Sequence, residues 1–302
     1  MSGSANDSTM ELSYDQRAFL EPFLPKTCIS PELETRTPVS IDASMNSPPP
    51  ANDNAAGPSD LPFVTLTYAA SLDSMISLGP GLRTTLSGPE SKAMTHYLRS
   101  RHDAILVGVN TAIVDNPSLN CRYPGATFDN QPRPVIIDTH SRYFERPSTP
   151  QPDKKAWALA QQKKGKWPWT VCATNSPSGA RMSQLRGDHL LVYQDDSRFL
   201  PYNSSAQRPL LPWVDIFKGL KQKGIDSVMV EGGATVINSL LAEPSLVNSV
   251  IITIAPTFLG AGGVAVAPAP KFGQGGQREN AAWLPQPEWH QFGKDMVLCG
   301  KL

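Results

Sequence analysis

Residues 227–241 place a short apolar strand, two adjacent glycines and a helical segment in direct succession. At a turn of this kind, backbone N–H groups and the positive end of the helix dipole point toward the same place. Glycine lets a ligand approach that point without meeting a Cβ. The segment therefore predicts an anion site suited to a phosphate, although a turn that needs glycine only for its backbone angles has the same pattern. Glu231 would repel a phosphate, so we expect it to face another part of a ligand, such as a ribose or a pyrimidine.

Strands and helices alternate from residue 61 onward. This alternation is typical of an α/β fold with a mixed, mainly parallel sheet. Ser87 is the expected N-cap of the first helix, with Pro89 in its first turn. Buried strands are predicted at 63–69, 104–107, 134–137, 170–173, 190–193, 227–230 and 247–254, helices at 89–101, 213–223 and 234–241, and a closing strand or hairpin at 289–302.

Residues 1–60 are rich in Ser, Pro, Asn and Asp, which predicts a mostly disordered arm before a single domain at 61–302. Within the arm, 16–24 has the apolar residues of a short helix that docks on the domain, although Pro22 weakens this helix. The insertion at 145–168, and within it 151–167, is expected to be exposed to solvent.

Composition excludes several classes of protein. The 27 basic and 27 acidic residues cancel, so no electrostatic attraction to nucleic acid or to an anionic membrane is expected. No apolar run approaches the roughly 18 residues that cross a bilayer. The first ten residues have neither the basic start nor the apolar stretch of a secretory signal, which predicts an intracellular, cytoplasmic protein.

Cysteine and histidine spacing predicts no metal site. The 4 cysteines form no C-x-x-C pair, and the 5 histidines show no H-x-x-x-H or H-E-x-x-H spacing. The H-x-E and P-C-x-x-C signature of a zinc deaminase is also missing from the sequence. We therefore expect reduced thiols and no deaminase activity.

A hydroxyl and a carboxylate lie four residues apart after the strand at 104–107. Thr111 and Asp115 would share one face of a short helix that ends at Asn116, and they could hold ribose hydroxyls. Arg122 offers a guanidinium fork for a phosphate. The same three residues would also suit an ordinary solvated surface.

Two further positions have both functional and structural explanations. Asp73 follows the first strand, where open α/β sheets bind ligands, and could relay a proton or simply form a turn. Arg99 could reach a phosphate or belong to a solvated basic face. By contrast, 260–265 satisfies the dinucleotide-binding pattern G-x-G-x-x-[GA], but prolines flank it and no helix can follow, so a flexible or ligand-covering loop is expected.

The motifs at 63–73, 87–90, 98–99, 103–108, 111–119 and 231–233 together resemble one family. It is the 2,5-diamino-6-ribosylamino-4(3H)-pyrimidinone 5′-phosphate reductases, whose module also resembles the reductase half of the bifunctional riboflavin deaminase–reductase and the dihydrofolate reductase fold. The resemblance spans about 61–265 and implies a three-layer α/β sandwich with helices on both faces of the sheet. One departure is Ser74, which stands where the family's S-x-D-G segment has glycine.

The resemblance also implies a homodimeric enzyme that uses NADPH to reduce the ribosyl group to a ribityl group in riboflavin biosynthesis. Asp73 and Glu231 are then the candidate proton donors, and either would need a raised pKa to donate near neutrality. Cofactor contacts are implied for Thr111, Asp115, Gly232, Gly233, Ala234, Thr235 and Val236, and substrate contacts for Arg99, Leu119, Arg122 and Glu231.

Two alternatives stay open at this point. One is another dihydrofolate reductase-like enzyme that reduces a pteridine ring; Arg99 and Arg122 argue against it, because a free pteridine has no phosphate for them to bind. The other is a catalytically silent nucleotide-binding scaffold on the same fold. The presence of Thr111, Asp115 and Glu231 argues against the scaffold.

Overall fold

A computed structural model describes residues 11–26, 60–139, 142–143, 154–173, 190–192, 211–270, 272–273, 275–277 and 283–302 of the chain. The strands, in chain order, are β1 Phe63–Ser71, β2 Met75–Ser77, β3 Ala104–Gly108, β4 Arg133–Ile137, β5 Trp169–Ala173, β6 Leu190–Val192, β7 Ser227–Gly232, β8 Ser249–Ala255, β9 Val264–Ala265, β10 Glu288–Phe292 and β11 Asp295–Lys301. The helices are α1 Tyr14–Leu20, α2 Pro89–Ser100, α3 Val109–Val114, α4 Lys155–Gln161, α5 Trp213–Gln222 and α6 Ala234–Leu241, with short 3-10 helices at Glu21–Phe23 and Pro244–Leu246.

Within the described ranges, nine strands form one sheet in the order β10-β11-β8-β1-β7-β3-β4-β5-β6, and β2 pairs with β9 in a separate ribbon. The seven strands from β8 to β6 run parallel to one another, while β10 and β11 are antiparallel at one edge. The predicted mixed, mainly parallel sheet and the closing hairpin are confirmed. Because β1, β7 and β3 are adjacent and parallel, their carboxyl ends meet at one edge of the sheet.

The side chains of β7 alternate between two apolar layers, as expected for a strand covered on both faces. Val228 and Val230 belong to the layer that includes Phe217 of α5 and Ile237 of α6. Met229 belongs to the opposite layer with side chains of α2. Helices thus cover both faces of the sheet, which confirms the predicted three-layer sandwich and its dihydrofolate reductase-like fold.

The start of α2 differs from the prediction in its cap. The N-cap is Gly88 and not Ser87, and a glycine has no side chain that could cap the helix. The start of α2 is held instead by Asp295, the first residue of β11, whose buried carboxylate accepts hydrogen bonds from Gly88 N and Ser91 Oγ, each at 2.7 Å. A carboxylate 204 residues away from Ser91 in sequence leaves no local signal, so sequence spacing could not identify this contact.

Part of the predicted solvent-exposed insertion is packed and helical, which corrects that expectation. Within 151–167, Ala156 and Ala160 of α4 are buried, because they share the inner face of a short helix. The helix expected near 16–24 is present as α1 and the 3-10 turn after it. Residues 1–10 and 27–59 of the arm, the strand residue Tyr193 and all of 145–153 lie outside the described residues. No helix in the described ranges has the length and apolar character needed to cross a bilayer.

Candidate active site

The turn from β7 into α6 requires glycine at both of its positions. Gly232 and Gly233 have φ values of 109° and 71°, which side chains rarely adopt. A Cβ on Gly232 would lie 2.8 Å from Ile237 Cδ1, and a Cβ on Gly233 would lie 2.7 Å from Thr111 Oγ1. The backbone angles and the close contacts therefore both exclude a side chain at these positions. This fits a turn that needs glycine for its backbone angles, and it also fits an anion site that a ligand approaches closely.

The first turn of α6 is arranged for an anion. Gly233 is the N-cap and has no side chain to cap the helix, so the N–H groups of Ala234, Thr235 and Val236 keep their hydrogen-bonding capacity. Thr235 is exposed, whereas the Val236 side chain is buried. The helix end thus presents backbone donors and one hydroxyl at the carboxyl edge of the sheet.

The two turns that follow β3 and β7 lie against each other. Thr111 on α3 reaches Gly233, and a Cβ on Gly108 would lie 3.1 Å from Val236 Cγ2. Asp115 is the C-cap of α3, where its N–H donates to the Thr111 carbonyl at 3.0 Å. Burial raises the pKa of Asp115, against the opposing charge of Arg83. The structure therefore brings Thr111 and the glycine turn together, with Asp115 one helical turn away.

Arg99 and Glu231 form a bidentate ion pair. Arg99 Nε and Nη2 each lie 2.6 Å from a different carboxylate oxygen of Glu231, and Arg99 Nη1 donates to the Asn120 carbonyl at 3.0 Å. Both side chains are largely buried, with 11% and 16% exposed. Burial lowers the pKa of Arg99, but the charge and hydrogen bonds of Glu231 outweigh burial and raise it overall. Every guanidinium nitrogen of Arg99 thus has a protein partner.

Arg122 has a different environment, because it is exposed and lies against His96 of α2. Its Nε and Nη2 are 3.2 and 2.9 Å from His96 Nε2, and its backbone N–H is 3.2 Å from His96 Nδ1. A neutral imidazole accepts at only one nitrogen, so these contacts cannot all be full hydrogen bonds. Burial, followed by the charges of Arg99 and Arg122, lowers the pKa of His96 to about 3.

Leu119 has a strained backbone and a buried side chain. Its φ is +52°, and its side chain packs with Ile105 and Val107 in the layer beneath α3. A contact between Leu119 and a substrate would therefore come from the main chain, since the side chain belongs to the core.

Asp73 holds a loop together. Its carboxylate lies 2.5 Å from Ser71 Oγ and accepts the backbone N–H groups of Leu259 at 3.1 Å and Gly260 at 2.7 Å. The bond from Ser71, then those from Gly260 and Leu259, lower the pKa of Asp73 to about 2. Proton donation would need a raised pKa, so this geometry opposes the donor role considered for Asp73. Gly260 belongs to the loop at 260–265, which Asp73 and the β2–β9 pairing tie down.

Ser74 keeps the conformation that glycine would have. Its φ is +61°, in the left-handed region, although a serine side chain is disfavoured there. The departure from the family's S-x-D-G pattern therefore leaves the turn in place at some cost in stability.

Two residues near the carboxyl edge of the sheet, His96 and Arg142, were not predicted from the sequence as site residues. His96 was treated only as one of five unclustered histidines, and Arg142 was not considered. Arg142 Nη1 donates to Asn110 Oδ1 at 3.1 Å, and its Nε lies 4.0 Å from Asp138 Oδ1 at the end of β4. An arginine just after a strand end was the available signal for Arg142, but His96 becomes recognisable only once α2 and the Arg122 segment are side by side.

Comparison with known proteins places this edge in a family context. Residues 62–298 match the family model described as the RibD C-terminal domain. The chain belongs to the RibD C-terminal domain family. A relative from Saccharomyces cerevisiae, a 2,5-diamino-6-ribosylamino-4(3H)-pyrimidinone 5′-phosphate reductase, is 43% identical over 80% of this chain and 87% of its own length. The enzyme of the same name from Debaryomyces hansenii is 35% identical over 98% of this chain and 99% of its own.

Solved structures of RibD-family proteins share the fold. The riboflavin biosynthesis reductase of Saccharomyces cerevisiae matches with a TM-score of 0.59 and 37% identity, covering 81% of this chain and 91% of that one. RibD from Acinetobacter baumannii matches with a TM-score of 0.58 and 22% identity, covering 80% of this chain and 58% of that one, and shows the fold alone.

Proposed function

We propose that this chain is an NADPH-dependent reductase of riboflavin biosynthesis. It reduces the ribosyl group of 2,5-diamino-6-ribosylamino-4(3H)-pyrimidinone 5′-phosphate to a ribityl group. The observation that carries the proposal is the junction of the two turns at Thr111 and Gly233, beside the Arg99–Glu231 pair. It provides a backbone anion site and a buried carboxylate at one edge of the sheet, in a chain whose relatives bear this enzyme's name.

The residues present fit a dinucleotide cofactor. Gly232, Gly233 and the first turn of α6 offer N–H groups and a helix dipole to its pyrophosphate, where a Cβ would obstruct the approach. Thr111 and Asp115 supply a hydroxyl and a carboxylate for its ribose hydroxyls. The cofactor provides the hydride, and the protein provides binding and orientation.

Arg142 supports NADPH over NADH. Its guanidinium lies beside Asn110, the residue that precedes Thr111, on the β4 side of the predicted cofactor path. A guanidinium matches the geometry of a phosphate. We assign the additional phosphate of NADPH to Arg142, which is 40% exposed and therefore accessible.

On the substrate side, we assign different tasks to the two arginines. Arg122 is exposed and takes the substrate 5′-phosphate. Arg99 is occupied by Glu231 and the Asn120 carbonyl, so it acts as a positioning residue that orients Glu231. Both carboxylates accept protein hydrogen bonds, Glu231 from Arg99 and Asp73 from the loop. We assign Glu231, and not Asp73, to the ribosyl group because Glu231 directly precedes the glycine turn.

The reduction adds one hydride and one proton to the substrate. A bound NADPH would supply the hydride for C1′ of the open, imine-like form of the ribosylamine, and the attached nitrogen would take the proton. Holding two anionic ligands in contact at this edge supplies most of the rate acceleration.

An exposed apolar patch at the antiparallel edge of the sheet, on β10, β11 and β8, supports a homodimer. Trp289 and Met296 are 53% and 39% exposed. Trp289 of β10 lies opposite Leu298 of β11, and Met296 of β11 lies opposite Ile254 of β8. Contiguous apolar surface of this kind marks a protein interface. We propose that a second copy of the chain covers it.

Oxidation of NADPH by the purified protein, followed by absorbance, tests the function. The diamino substrate, its deaminated form, its dephosphorylated form and a dihydropteridine are compared in parallel. We expect turnover of the diamino phosphate, and a kcat/KM about 100-fold lower without the phosphate because Arg122 loses its charged partner. Reduction of the pteridine alone would contradict the proposal, as would NADPH binding without turnover of any substrate.

A further inference from the structure

We propose that residues 11–24, here called the N-terminal latch, position the phosphate side of the substrate site. The proposal rests on the proposed function, because it takes Arg122 as the ligand of the substrate phosphate. The latch packs against α2 and contacts Tyr123, the residue that follows Arg122. It can therefore set the position of the loop that carries Arg122 without touching the substrate.

Apolar packing anchors the latch. Leu20 is fully buried, and its neighbours in the latch are 4–5% exposed. They pack with α2 and with Phe292 of β10 in a single layer. A capping box between Ser13 and Gln16 defines the start of α1. The buried latch residues are Leu12, Leu20, Phe23 and Leu24, and their partners on α2 are Ala93, Met94, Tyr97 and Leu98.

Glu21 connects the latch to the polar side of α2. Its carboxylate accepts a hydrogen bond from the Tyr97 hydroxyl and forms an ion pair with Arg101. Burial, followed by the hydrogen bond to Glu21, raises the pKa of Tyr97 to about 12, so the hydroxyl stays protonated and remains a donor. One latch carboxylate therefore holds Tyr97, in the C-terminal half of α2, and Arg101, the C-cap of that helix.

A second contact reaches the substrate loop directly. Leu12 N donates to the Tyr123 hydroxyl at 3.3 Å, and the Tyr123 ring lies 5.1 Å from the Tyr97 ring. Tyr123 follows Arg122, whose backbone and side chain contact His96 of α2. The Arg122 loop is therefore held by α2 on one side and by the latch on the other.

The expected size of the effect follows from the contacts. Losing one partially buried hydrogen bond changes an equilibrium about three- to tenfold. A loosened latch should therefore raise KM for the phosphorylated substrate by about three- to tenfold. It should change KM for NADPH less than twofold, because the glycine turn and Thr111 lie outside the latch layer.

Two variants approach the contact from opposite sides. Glu21→Ala releases Tyr97 and Arg101 from the latch, and Tyr123→Phe removes the acceptor for Leu12 N. Asp226→Asn is the matched control, because it breaks another surface ion pair, with Lys221 at 2.7 Å, away from the latch. We expect KM for the substrate to rise selectively in both variants and to stay unchanged in the control. In the double variant Glu21→Ala with Tyr123→Phe, the rise in KM should be smaller than the product of the two single rises.

Amide hydrogen exchange of residues 119–123 in the ligand-free full chain gives a readout besides activity. We expect faster exchange there in Glu21→Ala and unchanged exchange in Asp226→Asn. A KM increase in Tyr123→Phe without one in Glu21→Ala would overturn the proposal, because it would show that Tyr123 touches the substrate itself. An equal rise in both KM values, or unchanged exchange at 119–123, would overturn it too. If the wild-type chain reduces no substrate, the proposed function fails, and the exchange experiment still decides whether the latch positions the loop.

Discussion

Thr111 and Gly233 approach so closely that a Cβ on residue 233 would lie 2.7 Å from Thr111 Oγ1. Thr111 lies on α3, which directly follows β3, and Gly233 lies in the turn after β7, the parallel neighbour of β3. Their contact joins the two elements that the proposed cofactor site needs, a helix N-terminus and a hydroxyl. Any side chain at 233 would separate them.

Gly233→Ala should therefore weaken NADPH binding. We expect KM for NADPH to rise at least tenfold and the free energy of unfolding to fall by about 1–3 kcal/mol, from the left-handed φ and the clash together. Gly224→Ala is the control, since Gly224 has φ +81° but nothing within 4 Å of its Cβ position. Its stability should fall by about 1 kcal/mol, with KM for NADPH unchanged. Equal KM values in wild type and Gly233→Ala would contradict the assignment.

Glu231→Gln should reduce both stability and activity. Removing one partner of a buried ion pair leaves Arg99 without its counter-ion, which costs about 3 kcal/mol in urea unfolding. The exposed pair of Lys221 and Asp226 is the comparison, and Asp226→Asn should change stability by less than about 1 kcal/mol.

The same variant ranks the two carboxylates for activity. We expect kcat to fall at least 100-fold in Glu231→Gln, because Glu231 directly precedes the glycine turn, and less than tenfold in Asp73→Asn, because Asp73 holds the loop at Leu259 and Gly260. With a pKa of about 2, Asp73 should also leave no inflection in the pH–rate profile above pH 4. A larger loss of kcat in Asp73→Asn would reverse the assignment.

Ser74→Gly should stabilise the protein. The substitution removes the cost of a serine at φ +61°, about 1–2 kcal/mol, against a smaller entropic loss from the added flexibility of the unfolded chain. We expect a net gain of about 0.5–1 kcal/mol in thermal unfolding. Ser74→Ala, which keeps a Cβ, should show no such gain. A loss of stability in Ser74→Gly would mean that the serine side chain contributes more than its backbone costs.

Two buried histidines should make the protein less stable in mild acid. Burial lowers the pKa of His102 to about 4, and that of His96 is about 3. The unfolded chain takes up these protons below about pH 6.5, whereas the folded chain takes them up only near the lowered values. The free energy of unfolding should therefore fall as the pH drops from about 6.5 to about 4, by about 1 kcal/mol per pH unit for each histidine.

Urea unfolding at several pH values measures this slope. His102→Gln should remove about half of it, and His96→Gln combined with His102→Gln should flatten the profile between pH 6.5 and 4.5. An unchanged slope in the double variant would show that other groups control the acid sensitivity.

Arg142→Gln should change the choice of cofactor. We expect KM for NADPH to rise about 10- to 100-fold, with KM for NADH unchanged, because only NADPH carries the additional phosphate. Arg133→Gln is the matched control at the opposite end of β4 and should leave the ratio of the two KM values as it is. A parallel rise for both cofactors would show that Arg142 supports the fold rather than the phosphate.

Local sequence patterns predicted most strands and helices of the large sheet and its layers, but not α4, β2 or β9. The β7 strand, the glycine turn and α6 all follow from residues within one stretch of chain, and strand–helix alternation predicted the mainly parallel sheet. The order of strands was not predictable in this way, since it depends on which strands pair. For example, β1 lies between β7 and β8, from the far end of the sequence.

In the candidate site, too, local motifs were predictable from sequence and contacts between distant residues were not. Thr111, Asp115 and the glycines belong to recognisable local motifs, and the structure brings Thr111 against Gly233. The partners of Arg99 and Asp73, by contrast, lie 132 and 187 residues away, at Glu231 and Gly260. A contact of that separation leaves no periodicity in the sequence, so sequence analysis could place these residues near the site but could not distinguish an occupied arginine from an exposed one.

Isotope transfer from the cofactor shows which atom of the substrate receives the hydride. NADPH carrying deuterium at the transferable position of the nicotinamide is mixed with the protein and the diamino ribosylamino-pyrimidine phosphate, and the product is analysed by mass spectrometry and NMR. We expect a ribityl product with one deuterium, located at C1′. Deuterium on the pyrimidine ring, or a product without deuterium, would contradict hydride transfer to the sugar.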